Sequence, residues 1–228
     1  MIAVQFIGII VIGYLLGAIP FGVMISKLVR GIDVREYGSG SMGMTNVMRT
    51  VGAKAGLIVL ILDLLKGSAA VALAWAIFCS EPDSTVHWGQ MAGGVAAVVG
   101  HSWPVYIGFR GGRGISTAFG AILVVSWPIG LICLAAFLLM VAIFRYISLG
   151  SISGAIALVI AMVVSYVYDW KPVSYLAFAL VVAPIVIFRH RANIKRLLSK
   201  TEPKIGHRVK VKRRLLLSVL QAGVRPSP

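Results

Sequence analysis

The sequence predicts an all-α, polytopic membrane helix bundle, and three observations carry that expectation. Hydrophobic residues make up 59% of the 228, charged residues only 13%, and the mean hydropathy is +0.93, which is more apolar surface than one soluble core could bury. Apolar stretches of membrane-crossing length recur along the chain. The formal charge of +15 is concentrated, with 12 of the 22 Lys and Arg residues between Arg189 and Pro228 and only Glu202 opposing them.

In order, the apolar segments run from Ile2 to Ile25, Ala55 to Cys79, Val86 to Val99, Ile115 to Phe144, Ser151 to Tyr168 and Val173 to Phe188. No basic residue precedes the first segment and no small-residue cleavage pattern follows it, whereas Lys27, Arg30 and Arg35 do. A first membrane helix with its N-terminus outside is therefore expected, rather than a removed signal peptide. The connection Ser26–Lys54 is basic, and Ser80–Thr85 carries Glu81 and Asp83. That contrast puts the first inside and the second outside.

Six crossings would leave the arginine-rich tail outside, against the positive-inside rule. The Ile115–Phe144 stretch supplies another segment, because Trp127-Pro128 interrupts it and proline disfavours helix at the residue before it. Each half would hold about 12 to 16 residues, or roughly 18 to 24 Å at helical rise. About seven transmembrane segments are expected, two of them short, with the N-terminus outside and the C-terminus cytoplasmic. The chain divides into a membrane domain over 1–206 and a basic cytoplasmic extension over 207–228. Attraction of that tail to anionic headgroups, about 1 kcal/mol per basic residue, favours membrane phospholipids over nucleic acid as its partner.

Three polar, glycine-rich segments lie between the apolar ones, each beside arginines. In YGSGSMGMTNVMR, Ser39 and Gly40 precede Thr45, Asn46 and Arg49. Glycines here allow positive φ, so successive N–H groups can converge on an anion. With a helix starting near Ser41, Thr45 and Arg49 at i,i+4 and Asn46 and Arg49 at i,i+3 would face one pocket. In GFRGGRGIST, Arg110, Gly111, Gly112, Arg113 and Gly114 lead straight into an apolar run. A glycine-rich turn entering a helix N-terminus offers N–H groups and a dipole to phosphate, and arginine adds bidentate charge. In FRHRANIKRL, His190 and Asn193 are i,i+3 on a helix leaving the last apolar segment. Asp63 and Lys66, at i,i+3 inside the second segment, read as a structural ion pair, and His101 in GHSWP as the residue that fixes a turn.

No HxxxxD occurs at any histidine, and GxSxG, HExxH and carboxylate clusters are also missing. No metal and no cofactor is expected. An enzyme built from these residues would position anions and stabilise charge, with at most one histidine moving a proton.

Together these motifs resemble the bacterial acyl-phosphate:glycerol-3-phosphate acyltransferase family over roughly Gly13 to Gly206. The first is similar to GSGNxGATNxxR, matched at Ser39, Gly40, Thr45, Asn46 and Arg49, with Ser41 in place of Asn and Met44 in place of Ala. The second is similar to GHxxPxFxxFKGGKGxAT, matched at Gly100, His101, Pro104, Gly111, Gly112, Gly114 and Thr117, with Arg110 and Arg113 in place of lysines. The third is similar to HRxNIxRLxxGxExK, matched at His190, Arg191, Asn193, Ile194, Arg196, Glu202 and Lys204, with Lys200 in place of glycine. That substitution puts the turn after the helix in question. Ser151 in RYISLGSI lies where the family contributes a serine to its phosphate pocket.

The resemblance implies acyl transfer from a fatty acyl phosphate to the 1-hydroxyl of glycerol 3-phosphate. The products would be lysophosphatidic acid and phosphate, in the first acylation step of phospholipid biosynthesis. It implies catalytic roles for His190 and Asn193, and phosphate binding by Ser39, Gly40, Thr45, Asn46, Arg49, Arg110, Gly111, Gly112, Arg113, Gly114 and Ser151. Asp63, Lys66, His101 and Glu202 would support them. The expected location is a bacterial cell (inner) membrane with the site facing the cytoplasm. A transporter of an organic phosphate anion is the competing reading, since it would use the same arginines and broken helices.

Overall fold

The computed structural model describes residues 1–207 and 209, and every regular element among them is helical. The first apolar segment forms α1 (Ile2–Ala18) and α2 (Phe21–Arg30). The single stretch expected to Ile25 is interrupted at Ile19–Pro20, because proline lacks the N–H that an uninterrupted helix would use. Gly31, in the left-handed region at φ 67°, ends α2. A 3-10 turn, Val34–Glu36, follows, held by Arg35, which pairs with Asp33 at 2.7 Å and donates to the Ile107 carbonyl at 2.9 Å.

Next come α3 (Met44–Thr50), α4 (Ala53–Phe78) and α5 (Asp83–Ser102). The 26 residues of α4 give about 39 Å of helix, enough to cross a bilayer core with tilt. The interrupted stretch becomes α6 (Ile115–Val125) and α7 (Trp127–Phe144). Their break is at Ser126, one residue before the expected dipeptide: extended backbone there (φ −163°, ψ 95°) lets Pro128 sit in the first turn of α7, where its missing N–H costs nothing. The halves have 11 and 18 residues, so only α6, about 16 Å long, is too short to span. Then follow α8 (Ile147–Val167), α9 (Val173–Arg189) and α10 (Arg191–Leu198), the last two meeting at a 57° bend.

By length and composition, four stretches among the described residues can cross a membrane: Ile2–Arg30, α4, α7 and α8, with α9 and α10 as a fifth if taken together. Large apolar side chains on their outward faces, among them Leu65, Trp75, Trp127 and Leu138, are exposed, as lipid-facing residues would be. Inside, small residues let helices touch closely. A β-carbon on Gly17 of α1 would overlap the Ala97 backbone of α5, and one on Gly67 of α4 would overlap the Thr117 carbonyl of α6. The largest core cluster joins α5, α6, α8 and α9 around Val98, Ile122, Met162, Phe178 and Val186. The polar segments are thereby gathered beside the N-terminal ends of α6 and α8 and the C-terminal end of α9. Of the 207–228 extension, only His207 and Val209 are among the described residues.

Candidate active site

Motif one is organised around Asn46. Its Oδ1 accepts from the Ser39 N–H at 3.1 Å, and its Nδ2 donates to the carbonyls of Ser41, Val34 and Tyr37 at 2.8 to 3.0 Å. A side chain 2% exposed with both ends committed shapes the loop rather than facing a ligand. Gly38 and Gly40 take φ of 59° and 69°, which the tight turn requires. Helix α3 starts at Met44, three residues later than expected from Ser41, because the Ser41 carbonyl is held by Asn46.

Motif two is braced from two sides. The Gly112 N–H donates to the His101 carbonyl at 3.0 Å, and a β-carbon on Gly112 would overlap His101 Nε2. From α9, Arg189 donates to the Gly112 and Gly111 carbonyls at 2.9 and 3.1 Å and lies over the Trp103 ring. The expected use of the Gly112 N–H for phosphate is therefore corrected: it is consumed by the turn. Gly114, at φ 84°, then directs the chain into α6 and leaves the first N–H groups of that helix without intrahelical partners.

Beneath this loop, Lys66 Nζ lies 2.8 Å from Asp63 Oδ1, and His101 Nδ1 lies 3.5 Å from the same oxygen. Lys66 also donates to the Ile19 carbonyl at 3.0 Å. These buried charges join the α1–α2 break, α4 and the end of α5.

Motif three closes the site through Glu202. Its Oε1 accepts from Ser148 Oγ and Asn193 Nδ2, each at 2.7 Å, and its Oε2 accepts from Arg196 Nε at 2.7 Å. Burial alone would raise the Glu202 pKa, but the hydrogen bonds from Asn193, Ser148 and Arg196 outweigh it and hold the carboxyl below its ordinary value. His190 stands at the α9–α10 bend, 1% exposed, with Nδ1 2.8 Å from the Val186 carbonyl. A carbonyl only accepts, so Nδ1 carries the hydrogen and neutral His190 keeps its lone pair on Nε2.

A cavity of about 240 Å³ gathers many of these groups. Ser39, Ser41, Thr45, Asn46, Arg113, Ser116, Ser151 and His190 line its polar part, with Asp63 and His101 alongside. Its remaining wall is apolar, from Leu60 and Leu64 of α4 through Phe119 and Ile122 of α6 to Leu134, Phe137, Leu158 and Val182. Burial pushes the Arg113 guanidinium down to about 10, with Glu202 opposing and Arg196, Arg49 and Arg189 reinforcing the fall. It stays charged at neutral pH, and no carboxylate among the described residues lies within ion-pair distance of it.

Not every expected residue meets this cavity. Gly40 and Arg110 are exposed and line no part of it, and Gly111 and Gly112 lie behind it. Thr45 and Arg49, expected to share one pocket, open on different ones. Arg49 Nη2 donates to the Pro203 carbonyl at 3.0 Å, which turns the side chain toward a second cavity. Asn193 faces Glu202. Sequence reasoning missed Arg189, Ser148, Ser41 and Ser116 as participants. Arg189 and Ser148 stood inside quoted motifs, but only the folded chain shows the loop and the carboxylate that they hold.

A family profile described as glycerol-3-phosphate acyltransferase matches residues 7–200. A glycerol-3-phosphate acyltransferase of Parasynechococcus marenigrum is 44% identical over 86% of this chain and 88% of its own length. The enzyme of that description from Nostoc sp. is 42% identical over 88% and 92%. A crystal structure of PlsY, an integral membrane glycerol 3-phosphate acyltransferase in its glycerol 3-phosphate form, superposes with a TM-score of 0.79. It shows 38% identity over 88% of this chain and 96% of its own. Its lysophosphatidic acid form gives a TM-score of 0.76, also at 38% identity. The profile match takes in Ser39–Arg49, Arg110–Thr117 and His190–Leu197, and the chain belongs to the glycerol-3-phosphate acyltransferase family.

Proposed function

We propose that the protein transfers a fatty acyl group from an acyl phosphate to the 1-hydroxyl of glycerol 3-phosphate, giving lysophosphatidic acid and phosphate. Family membership supports the acceptor and the acyltransferase chemistry, and weighs against the transporter reading. The donor rests on one observation: the cavity joins a cationic, hydroxyl-lined end to an apolar shaft. Between Ser151 and Leu158 that shaft runs two turns along α8, about 10 Å. A phosphorylated head and a hydrocarbon tail on one molecule match those two parts.

Arg113, the free N–H groups at the start of α6 and the hydroxyls of Ser39 and Thr45 hold the phosphate end, and Ser151 joins them by turning its O–H away from the Ile147 carbonyl, to which it donates at 3.0 Å. The acceptor hydroxyl attacks the acyl carbonyl carbon. As the new C–O bond forms, the bond to the phosphate oxygen breaks and phosphate departs, so no protein nucleophile is needed. The hydroxyl proton passes to His190 Nε2 or to the departing phosphate. Asn193 acts through Glu202, positioning the strap over the site. The site faces the cytoplasm of a bacterial inner membrane, with the N-terminus outside and seven segments in the bilayer, which places the most basic segment on the cytoplasmic side.

The test is purified protein in lipid with palmitoyl phosphate and radiolabelled glycerol 3-phosphate, free of metal, CoA and carrier protein. Labelled lysophosphatidic acid from wild type and a large loss in Arg113→Ala are expected. A folded wild type that is silent with acyl phosphate but active with another donor overturns the donor assignment.

A further inference from the structure

A second cavity, about 470 Å³, lies at the C-terminal turn of α3, whose N-terminal turn lines the first. Met44, Thr45 and Asn46 of that helix line the first cavity, whereas Met48, Arg49 and Thr50 line the second. Ile147, the first residue of α8, lines both, so the two cavities are neighbours that share one side chain of their walls. Arg30 and Arg49 provide the charge, and no carboxylate lines this cavity among the described residues. Arg30 is exposed, at the end of α2, and donates one Nη1 hydrogen to the Thr50 carbonyl at 3.1 Å. That bond holds the guanidinium at the rim and leaves its other donors available. With Arg30, Arg49, Thr50 and His207 in its wall and room for more than one water, it is a hydrated chamber rather than a packing defect.

We propose that this chamber is the entry station for the water-soluble substrate and takes a phosphate monoester dianion, with Arg30 as its outer ligand. The proposal rests on the acyltransferase reading above. The two substrates differ in where they dissolve: the amphiphilic donor suits the apolar shaft, while a small dianion partitions into water and needs a hydrated, cationic approach. A chamber carrying one sign of charge raises the local concentration of the opposite ion and speeds its arrival. Arg49, half-buried and tethered to Pro203, lines the same chamber one helical turn from Thr45 of the first cavity, where it can hand the anion from Arg30 toward the shared wall. An anionic lipid headgroup offers the same phosphate chemistry, so the two sources must be separated by experiment.

The experiment measures KM for glycerol 3-phosphate and for palmitoyl phosphate separately, in phosphatidylcholine nanodiscs with and without phosphatidylglycerol, for wild type, Arg30→Gln and Arg30→Lys. The expected result is a three- to tenfold rise in KM for glycerol 3-phosphate in Arg30→Gln, with the palmitoyl phosphate KM within twofold of wild type. Its dependence on ionic strength should also be shallower. Arg30→Lys, which keeps the charge, should recover most of that loss. An unchanged glycerol 3-phosphate KM, or equal rises for both substrates, overturns the proposal. An Arg30→Gln effect confined to bilayers containing phosphatidylglycerol also overturns it, by making the chamber a lipid headgroup site. Wild type that makes no lysophosphatidic acid would sink the functional reading itself, a result distinguishable from all of these.

Discussion

Asn193 Nδ2 donates to Glu202 Oε1 across 2.7 Å, and the carboxylate that receives it also holds Ser148 and Arg196. The C-terminal strap is thereby tied to α8 and α10 at one point. The prediction that follows is that Asn193 acts on the reaction through Glu202. Asn193→Asp should be worse than Asn193→Ala, because it sets two carboxylates against each other. Both should lower thermal stability together with turnover, whereas a purely substrate-facing residue would change turnover with an unchanged melting temperature.

Glu202→Ala strands three donors around a buried position, and should cost about 2 to 3 kcal/mol of stability. The pH dependence has a definite sign. Because the folded-state pKa lies below the ordinary 4.5, the contribution is fully present above pH 4.5 and is lost as pH falls through the folded value. Melting temperatures of wild type should therefore fall more steeply below pH 4.5 than those of Glu202→Gln, which has no proton to take up there.

His190→Ala separates the two proton acceptors. If Nε2 takes the hydroxyl proton, turnover should fall on the order of 100-fold with near-normal KM values. Turnover near wild type would assign the proton to the departing phosphate.

Gly112→Ala should inactivate the protein, since the added methyl overlaps the His101 ring and must push the glycine-rich turn before α6 aside. Gly8→Ala in α1, where a β-carbon meets nothing within 4 Å, is the control and should behave as wild type. Initial rates at saturating substrate, with melting curves to confirm folding, check the pair.

Lys200 occupies φ 56°, the left-handed region that L side chains resist. This is the position where the resemblance expects glycine, so the turn keeps a glycine-like backbone without the residue. Lys200→Gly should stabilise by up to about 1 kcal/mol, and Lys200→Ala, which leaves the strain in place, should not. Thermal unfolding in a common detergent decides it.

The sequence by itself determined the helical membrane class, the three motifs and their family, because hydropathy and local residue order carry those signals directly. It also placed the break in the fourth apolar stretch within one residue, since a proline's effect on its neighbour is local. What only tertiary structure decided was the division of labour among the motif residues. Thr45 and Arg49 are helical neighbours in any reading, yet a bond from Arg49 to Pro203, 154 positions away, assigns them to different cavities. Likewise, Gly112 looked like an available donor until His101 took its N–H and Arg189 its carbonyl. Helical spacing says which side chains can share a face. Which cavity that face meets depends on distant backbone groups that approach only when the bundle packs.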